Sequence, residues 1–389
     1  MYDFIIIGAG VSGITAAIDL TRRNYKVLVL EKDSKPLRKL LVTGNGHCNL
    51  ANENNDSSKY HSSSNLYKGI INDYTLKLYH DFLSSLGIFC RSKNGYLYPY
   101  SNTSYAVYNS LLKECNVLGI KIILNIKVDK IEKDKLFTIN GFKSKNIIIA
   151  TGSKAWYKES NTSDLLDELN IDYIPFKPSL CRVKTNMNFK EINGLRTDVK
   201  LAFYGDDKLI KKEEGKILFK DNYLSGICTY NLSNLYYKYN KSSLAINFIP
   251  LFNEETLLSY LNHEVKILKD RKLSELLDSL LNYKITLYIL KQNNIKDELW
   301  NKYSKDEKCH IINLLLNYKV DIIGTDDFKN SQTVSGGVKL TSINTNTMEL
   351  KSKKHVYVIG EALDIDGDCG GYNLTIAFME GLLVGDPND

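Results

Sequence analysis

Apolar positions along this chain follow two periodicities, and the two fall in separate stretches. Unbroken apolar runs occur at 4–8 (FIIIG), 26–30 (KVLVL), 145–152 (KNIIIATG) and 355–360 (HVYVIG). Such runs suit strands buried on both faces, as in a parallel sheet. Helical spacing is found at 14–21, at 74–86 through Leu76, Tyr79, Leu83 and Leu86, and at 107–118. The last two are closed by Gly87 and Gly119. One or two strands are expected at 121–132 and another at 137–139. Residues 53–65 are rich in Asn and Ser and are expected to form a mobile surface loop. From 172 to about 250 the pattern changes to short alternating strands, at 199–203, 216–219 and 244–249, with turns at 205–206 and 214–215. From 254 to 318 it becomes helical. There Leu257, Leu258, Leu261, Val265 and Leu268 share one face, Leu276, Leu277, Leu280 and Leu281 another, and both read as core packing. Two-sided strands return only near the C-terminus. The expected fold class is therefore α/β. A discontinuous Rossmann-like domain is formed by 1–171 and 332–389, and an inserted domain, 172–331, is β-rich over 172–250 and helical over 254–318.

The first strand runs into Gly8-Ala9-Gly10-Val11-Ser12-Gly13, a G-x-G-x-x-G turn. A helical stretch and a second strand follow, ending in Glu31, eighteen positions beyond Gly13. Each part has a physical role in holding a dinucleotide. Gly8 permits the tight turn, Gly10 lets backbone approach a pyrophosphate, and Gly13 lets the helix pack close to the sheet. The helix start offers free N–H groups and partial positive charge to phosphates. Glu31 can hold both hydroxyls of a ribose. Further on, Thr43-Gly44-Asn45-Gly46 should form a loop with exposed N–H groups, suited to a phosphate or a polar ring edge. A strand returning beside the first would bring Ala150, Thr151 and Gly152 to the same nucleotide. Near the end, a strand, an acid-rich loop, the pair Gly370-Gly371 and a helix start again aim N–H groups at something electron-rich.

Composition changes this picture little. A chain of 389 residues is long for one core, which agrees with two domains. No run approaches the roughly 18 apolar residues of a membrane span, so none is expected. Nucleotide-binding sequence begins at Tyr2, which points to a cytoplasmic location. The seven cysteines (48, 90, 115, 181, 228, 309 and 369) form no C-x-x-C pair. They read as reduced thiols, with no disulfide frame and no metal site. The net charge of +6 is mild support for an acidic partner such as RNA. A single G-x-G-x-x-G and the lack of a redox cysteine pair argue against a disulfide-reductase type with two nucleotide domains.

Four segments carry a more specific likeness: 39–49 (KLLVTGNGHCN), 219–226 (FKDNYLSG), 334–348 (VSGGVKLTSINTNTM) and 360–374 (GEALDIDGDCGGYNL). With them the chain resembles the BaiN/RdsA family of FAD-dependent oxidoreductases over nearly its whole length. The resemblance implies a glutathione-reductase-type FAD domain, with the insert roofing the flavin and selecting substrate. It implies FAD contacts at Gly8, Gly10, Gly13, Glu31, Lys32, Lys39, Thr43, Gly44, Asn45, Gly46, Asn49 and Val128. It implies others at Ala150, Thr151, Gly152, Gly360, Glu361, Asp364, Gly371, Tyr372, Asn373 and Leu374, with no metal. The chain departs from the family pattern in four places. His47 stands where Arg is usual, Ala51 stands where Thr is usual, and Tyr96-Leu97-Tyr98-Pro99-Tyr100-Ser101 fills a place usually preceded by Arg. The glycine-rich run after the 145–152 strand is also shortened, to 153–162.

The resemblance further implies reduction of an activated C=C bond, with NAD(P)H as transient reductant. The preferred substrate is uridine in large-subunit ribosomal RNA. A steroid-like or bile-acid-like enone is the main alternative, and an amine-oxidising flavoenzyme or a non-catalytic FAD scaffold are others. Such a reduction needs a proton donor. Cys369 and Cys48 are the expected candidates, with His47 and Tyr372 behind them. A thiol at a helix start has a lowered pKa, though both cysteines also fit as small packing residues.

Overall fold

The computed structural model describes residues 1–54, 56–156 and 160–385. Asn55 of the 53–65 segment and residues 157–159 of the 153–162 run lie outside the described residues. The chain divides into two compact units, one of residues Met1–Lys177 and Thr333–Asp389, the other of Pro178–Gln332. Each unit has its own apolar core.

The first unit is built on a sheet whose central strands are parallel. They are β1 (Tyr2–Ile7), β2 (Val27–Leu30), β3 (Lys121–Ile123), β4 (Phe142–Ile149) and β5 (Val356–Val358). Their order is β3-β2-β1-β4, with β5 beside the carboxyl end of β4 and 137–139 antiparallel beside its start. Every side chain of β2 is buried, as a two-sided strand requires. Ile7 is level with Leu30 on one side and Ile149 on the other, and Ile149 with Val358. The residues that follow these strands, Gly8, Glu31, Ala150 and Ile359, therefore emerge along one edge. In parallel α/β sheets that carboxyl edge is where ligands bind.

Two helices meet over this edge, α1 (Val11–Arg22) and α2 (Tyr372–Leu382). They approach closely because Gly381 has no side chain. A Cβ there would lie 2.7 Å from the Ser12 carbonyl oxygen and 2.8 Å from Thr15 Cβ.

In the second unit, six antiparallel strands form a closed barrel: Val183–Thr185, Tyr223–Ser225, Lys208–Lys220, Arg196–Gly205, Ser242–Asn247 and Tyr318–Thr325. The same unit carries the helices Ile227–Tyr230, Glu254–Ile267, Leu273–Leu277, Tyr283–Gln292 and Lys305–Leu316. The turn expected at 214–215 is absent. Glu214 and Gly215 lie inside one long strand, paired with Lys200 and Val199, and the chain reverses only once, at Asp206–Asp207. A glycine beside charged residues imitates a turn signal, but here Gly215 leaves room for Cys228, which a Cβ would meet at 3.5 Å. The expected pair of strands at 121–132 reduces to 121–123 and 132–133.

Candidate functional site

The three glycines of the first turn do different work. Gly8 has φ +109°, and a Cβ there would lie 2.3 Å from the Ala150 carbonyl oxygen. A Cβ on Gly13 would lie 2.1 Å from the Gly8 carbonyl oxygen. Both are therefore fixed by close packing among β1, β4 and α1. Gly10 differs, because a Cβ there would meet nothing within 4 Å. That open space faces the start of α1, whose N-cap is Gly10 and which has no capping side chain. The N–H groups of Val11, Ser12 and Gly13 have no acceptor within the helix. A space beside free donors and a positive helix end fits an anionic pyrophosphate.

Glu31 is half-buried just past β2. Its Oε2 accepts the Ala9 N–H at 2.6 Å and its Oε1 the Asp33 N–H at 2.9 Å. A carboxylate has about four acceptor positions, so capacity for ribose hydroxyls remains. Lys32 follows, half-buried. Val128 is buried and its carbonyl accepts from Asn161 Nδ2 at 2.8 Å. Thr151 receives the Thr162 hydroxyl at 2.9 Å, as does the Gly152 carbonyl.

Two other groups come together at this edge. Lys39, Ser153 and Glu361 form one polar cluster. Lys39 pairs with Glu361 at 2.5 Å, and the Ser153 hydroxyl donates to the same carboxylate. Gly360, next to Glu361, donates its N–H to Glu380 of α2. Glu380 is fully buried, and desolvation pushes its carboxyl well above the usual range. Its Oε1 has no partner among the described residues.

The second group is the loop before α2. Asn373 closes it, accepting the Gly367 N–H at 3.0 Å and donating to the Gly367 carbonyl at 2.8 Å. Gly371 is the N-cap at φ +96°, and a Cβ there would lie 2.7 Å from the Ala51 backbone. The Thr375 N–H is the first to find an acceptor within the helix, at Gly371. The N–H groups of Tyr372, Asn373 and Leu374 thus stand at the helix start. Tyr372 donates to the Asn54 carbonyl at 2.8 Å. Burial pushes its phenol up to about 12. With its amide oriented so that both ends are satisfied, Asn49 accepts from the Gly371 N–H and donates to the Leu97 and Ala51 carbonyls. The buried Asp364 carboxylate accepts the Ser63 N–H at 2.9 Å.

Thr43–Gly46 is a tight turn, following a short helix, Arg38–Val42. Gly44, Asn45 and Gly46 all have positive φ, +54°, +55° and +85°. Glycine and asparagine are the residues that enter this region most readily. The Thr43 hydroxyl donates to the Leu40 carbonyl.

The candidate proton donors separate. Cys48 is fully buried in the core, and burial pushes its thiol up to about 12. Cys369 is half-buried and lies two residues before the N-cap Gly371, outside the helix whose start was expected to activate it. His47 is exposed, with Nδ1 2.9 Å from the Asn102 carbonyl.

Three residues of this region carry no motif signal of their own. Tyr60–His61 is a short strand paired with Asp366–Gly367, where a mobile loop was expected. It brings His61 and Lys59 to the buried Asp368. An Asn/Ser-rich stretch without periodicity hides such a strand. The only cue was Asp368 itself, an acid inside a glycine-rich motif. Among the described residues no cluster suited to a metal ion is found, and no helix is long and apolar enough to cross a membrane.

The HI0933-like protein Rossmann domain matches residues 2–387. The chain belongs to that family. Its relatives include a 3-dehydro-bile acid Δ(4,6)-reductase of Clostridium scindens, 28% identical, with 98% of this chain and 97% of the relative covered. They also include a ribosomal RNA dihydrouridine synthase of Haemophilus influenzae, 26% identical, with 96% and 95% covered. Among solved structures, a flavocytochrome c3 fumarate reductase in its open conformation aligns at 15% identity with a TM-score of 0.46, over 99% of this chain and 77% of that one. As a member of the HI0933-like family the chain is an oxidoreductase, and its cofactor is FAD. The open space at Gly10, the donors of α1 and the remaining acceptors of Glu31 fit that dinucleotide.

Proposed function

We propose that this protein reduces a carbon–carbon double bond conjugated to a carbonyl, and that its substrate is uridine in large-subunit ribosomal RNA. The reading is carried by full-length similarity to two enzymes whose names share one chemistry. A dienone losing a ring double bond and a uracil ring becoming dihydrouracil both gain two hydrogens beside a carbonyl. When bound, FAD would take electrons from NAD(P)H and supply the hydride.

The chain's own residues bind and orient. The start of α1 would hold the pyrophosphate, and Glu31 a ribose. The Lys39–Ser153–Glu361 cluster offers one cation and shared hydroxyl and carboxylate groups to the chain linking phosphate and ring. The start of α2 would place the Tyr372, Asn373 and Leu374 N–H groups against the electron-rich edge of the ring. Gly44–Gly46 would border its other side. Cys369, half-buried beside the start of α2, is the proposed proton donor to the substrate carbon. Cys48, fully buried, is assigned to packing. The unit of residues 178–332 is assigned a part in substrate selection.

The second reading is a small cyclic enone. It is favoured by the slightly higher identity to the bile-acid enzyme, 28% against 26%. Mass spectrometry of ribosomal RNA from cells with and without the gene separates the two. Loss of one dihydrouridine in the deletion supports the first reading. Survival of every dihydrouridine rejects it in favour of the second.

A further inference from the structure

The strands Cys90–Lys93 and Tyr96–Pro99 form an antiparallel hairpin at the rim of the first unit. Arg91 is level with Tyr98, and Lys93 with Tyr96. The ladder continues one step further, where the Tyr100 N–H donates to the Phe89 carbonyl at 2.8 Å. Side chains level across an antiparallel pair share a face, and every second residue repeats it. Phe89, Arg91, Lys93, Tyr96, Tyr98 and Tyr100 therefore lie on one face. The opposite face carries Leu97 and Cys90, which pack on the core.

This outward face is unusual for a folded surface. Phe89 is 75% exposed and Tyr100 61%, with their ring centres 5.8 Å apart. The Arg91 guanidinium lies 5.4 Å from the Tyr100 ring centre. Neither Arg91 nor Lys93 has an ion-pair partner among the described residues, and both are exposed. The face also adjoins both glycine-rich loops of the site. A Cβ on Gly44 would meet the Tyr98 ring at 3.8 Å, and one on Gly370 the Tyr96 ring at 3.1 Å. His47, through its contact with the Asn102 carbonyl, stands just past the end of the same hairpin. Two departures from the family pattern, His47 and the 96–101 segment, thus build one neighbourhood.

We propose that this face binds a single-stranded segment of RNA beside the flavin site. Exposed flat rings offer a stacking platform that any unpaired nucleobase can use. Two unpaired cations on the same face supply the complementary charge for phosphates. An exposed apolar patch alone would suit many partners, but rings interleaved with free cations suit a strand of bases and phosphates. The inference rests on the RNA reading above and names where that substrate is gripped.

The test is fluorescence anisotropy of the FAD-loaded protein with a labelled oligouridine and, separately, the same strand in a duplex. The wild type is expected to prefer the single strand. Phe89→Ala and Tyr100→Ala should each weaken binding about tenfold or more. Arg91→Gln and Lys93→Gln should each lower the slope of log affinity against log salt by about 0.7. Flavin content and Tm, measured alongside, should not change, since these side chains are exposed. If the wild type binds and all four variants bind equally well, the assignment of this face is overturned while the RNA reading stands. Equal affinity for duplex and single strand, unaffected by Phe89→Ala, also overturns it. If the wild type binds no RNA, both fail together.

Discussion

His61 Nε2 lies 2.8 Å from Oδ1 of Asp368, a carboxylate whose side chain is 2% exposed. Lys59 Nζ reaches the other oxygen at 3.5 Å. The pair joins two segments 307 residues apart and pins the loop that leads into α2. A buried carboxylate needs such partners, and removing one leaves its charge less fully compensated.

His61→Gln should therefore destabilise the protein by about 1–3 kcal/mol. Asp368→Asn, which removes the charge along with the need for a cation, should cost less. Thermal melts of the two variants check the order. A His61→Gln protein that melts with the wild type would show that the contact does not hold the loop.

The glycines predict opposite behaviours. Gly10→Leu places its side chain in open space, so the flavin-free protein should keep its Tm and fail to take up FAD. Gly13→Ala puts a methyl against the Gly8 carbonyl, so stability itself should fall by about 1–3 kcal/mol or more. Titration of each apoprotein with FAD, beside a melt, distinguishes them. A Gly10→Leu variant that binds FAD normally would place the pyrophosphate elsewhere.

Glu380 makes a prediction about pH. Its folded carboxyl lies well above the 4.5 of an ordinary glutamate because burial penalises the charge. A raised acid stabilises the fold fully below about 4.5, and that contribution is lost as pH rises toward the folded pKa. Glu380→Gln keeps an acceptor for Gly360 and cannot ionise. Its stability advantage over the wild type should be absent near pH 4 and grow by up to about 1.4 kcal/mol per pH unit above it. Parallel curves of Tm against pH for the two proteins would contradict this.

The thiols are distinguished in two half-reactions. Cys369→Ala should leave reduction of the flavin by NAD(P)H intact and slow substrate-dependent reoxidation by on the order of 10²-fold. Cys48→Ala should change stability more than rate. If Cys369→Ala reoxidises normally, another group supplies the proton, and Tyr372 or bound water is the next to test.

The parts of this protein that repeat a period were readable from sequence. The two-sided runs at 4–8 and 145–152 became neighbouring strands, and Gly8, Gly10 and Gly13 stand on one turn at their ends. The spacing of the turn assigned different parts to Gly8, Gly10 and Gly13, but what a Cβ at each would meet was not readable, because that depends on the arrangement in space. Ser153 and His61 were missed for the same reason. Each is an ordinary residue whose role comes from a partner far along the chain, Glu361 or Asp368. The 214–215 turn failed because strand length is fixed by pairing with Arg196–Gly205, which local sequence does not report.

Reduced flavin in this protein is expected to give its electrons to a conjugated C=C bond, preferably in uridine. The most direct measurement is an anaerobic single turnover. The FAD-loaded enzyme is reduced, mixed with a uridine-containing fragment of large-subunit ribosomal RNA, and followed both by the oxidised flavin band and by the mass of the RNA. The band is expected to return while one uridine gains two hydrogens. A band that stays bleached with the RNA and equally with a steroid-like enone, or that returns without any gain of hydrogen in the added substrate, would contradict it.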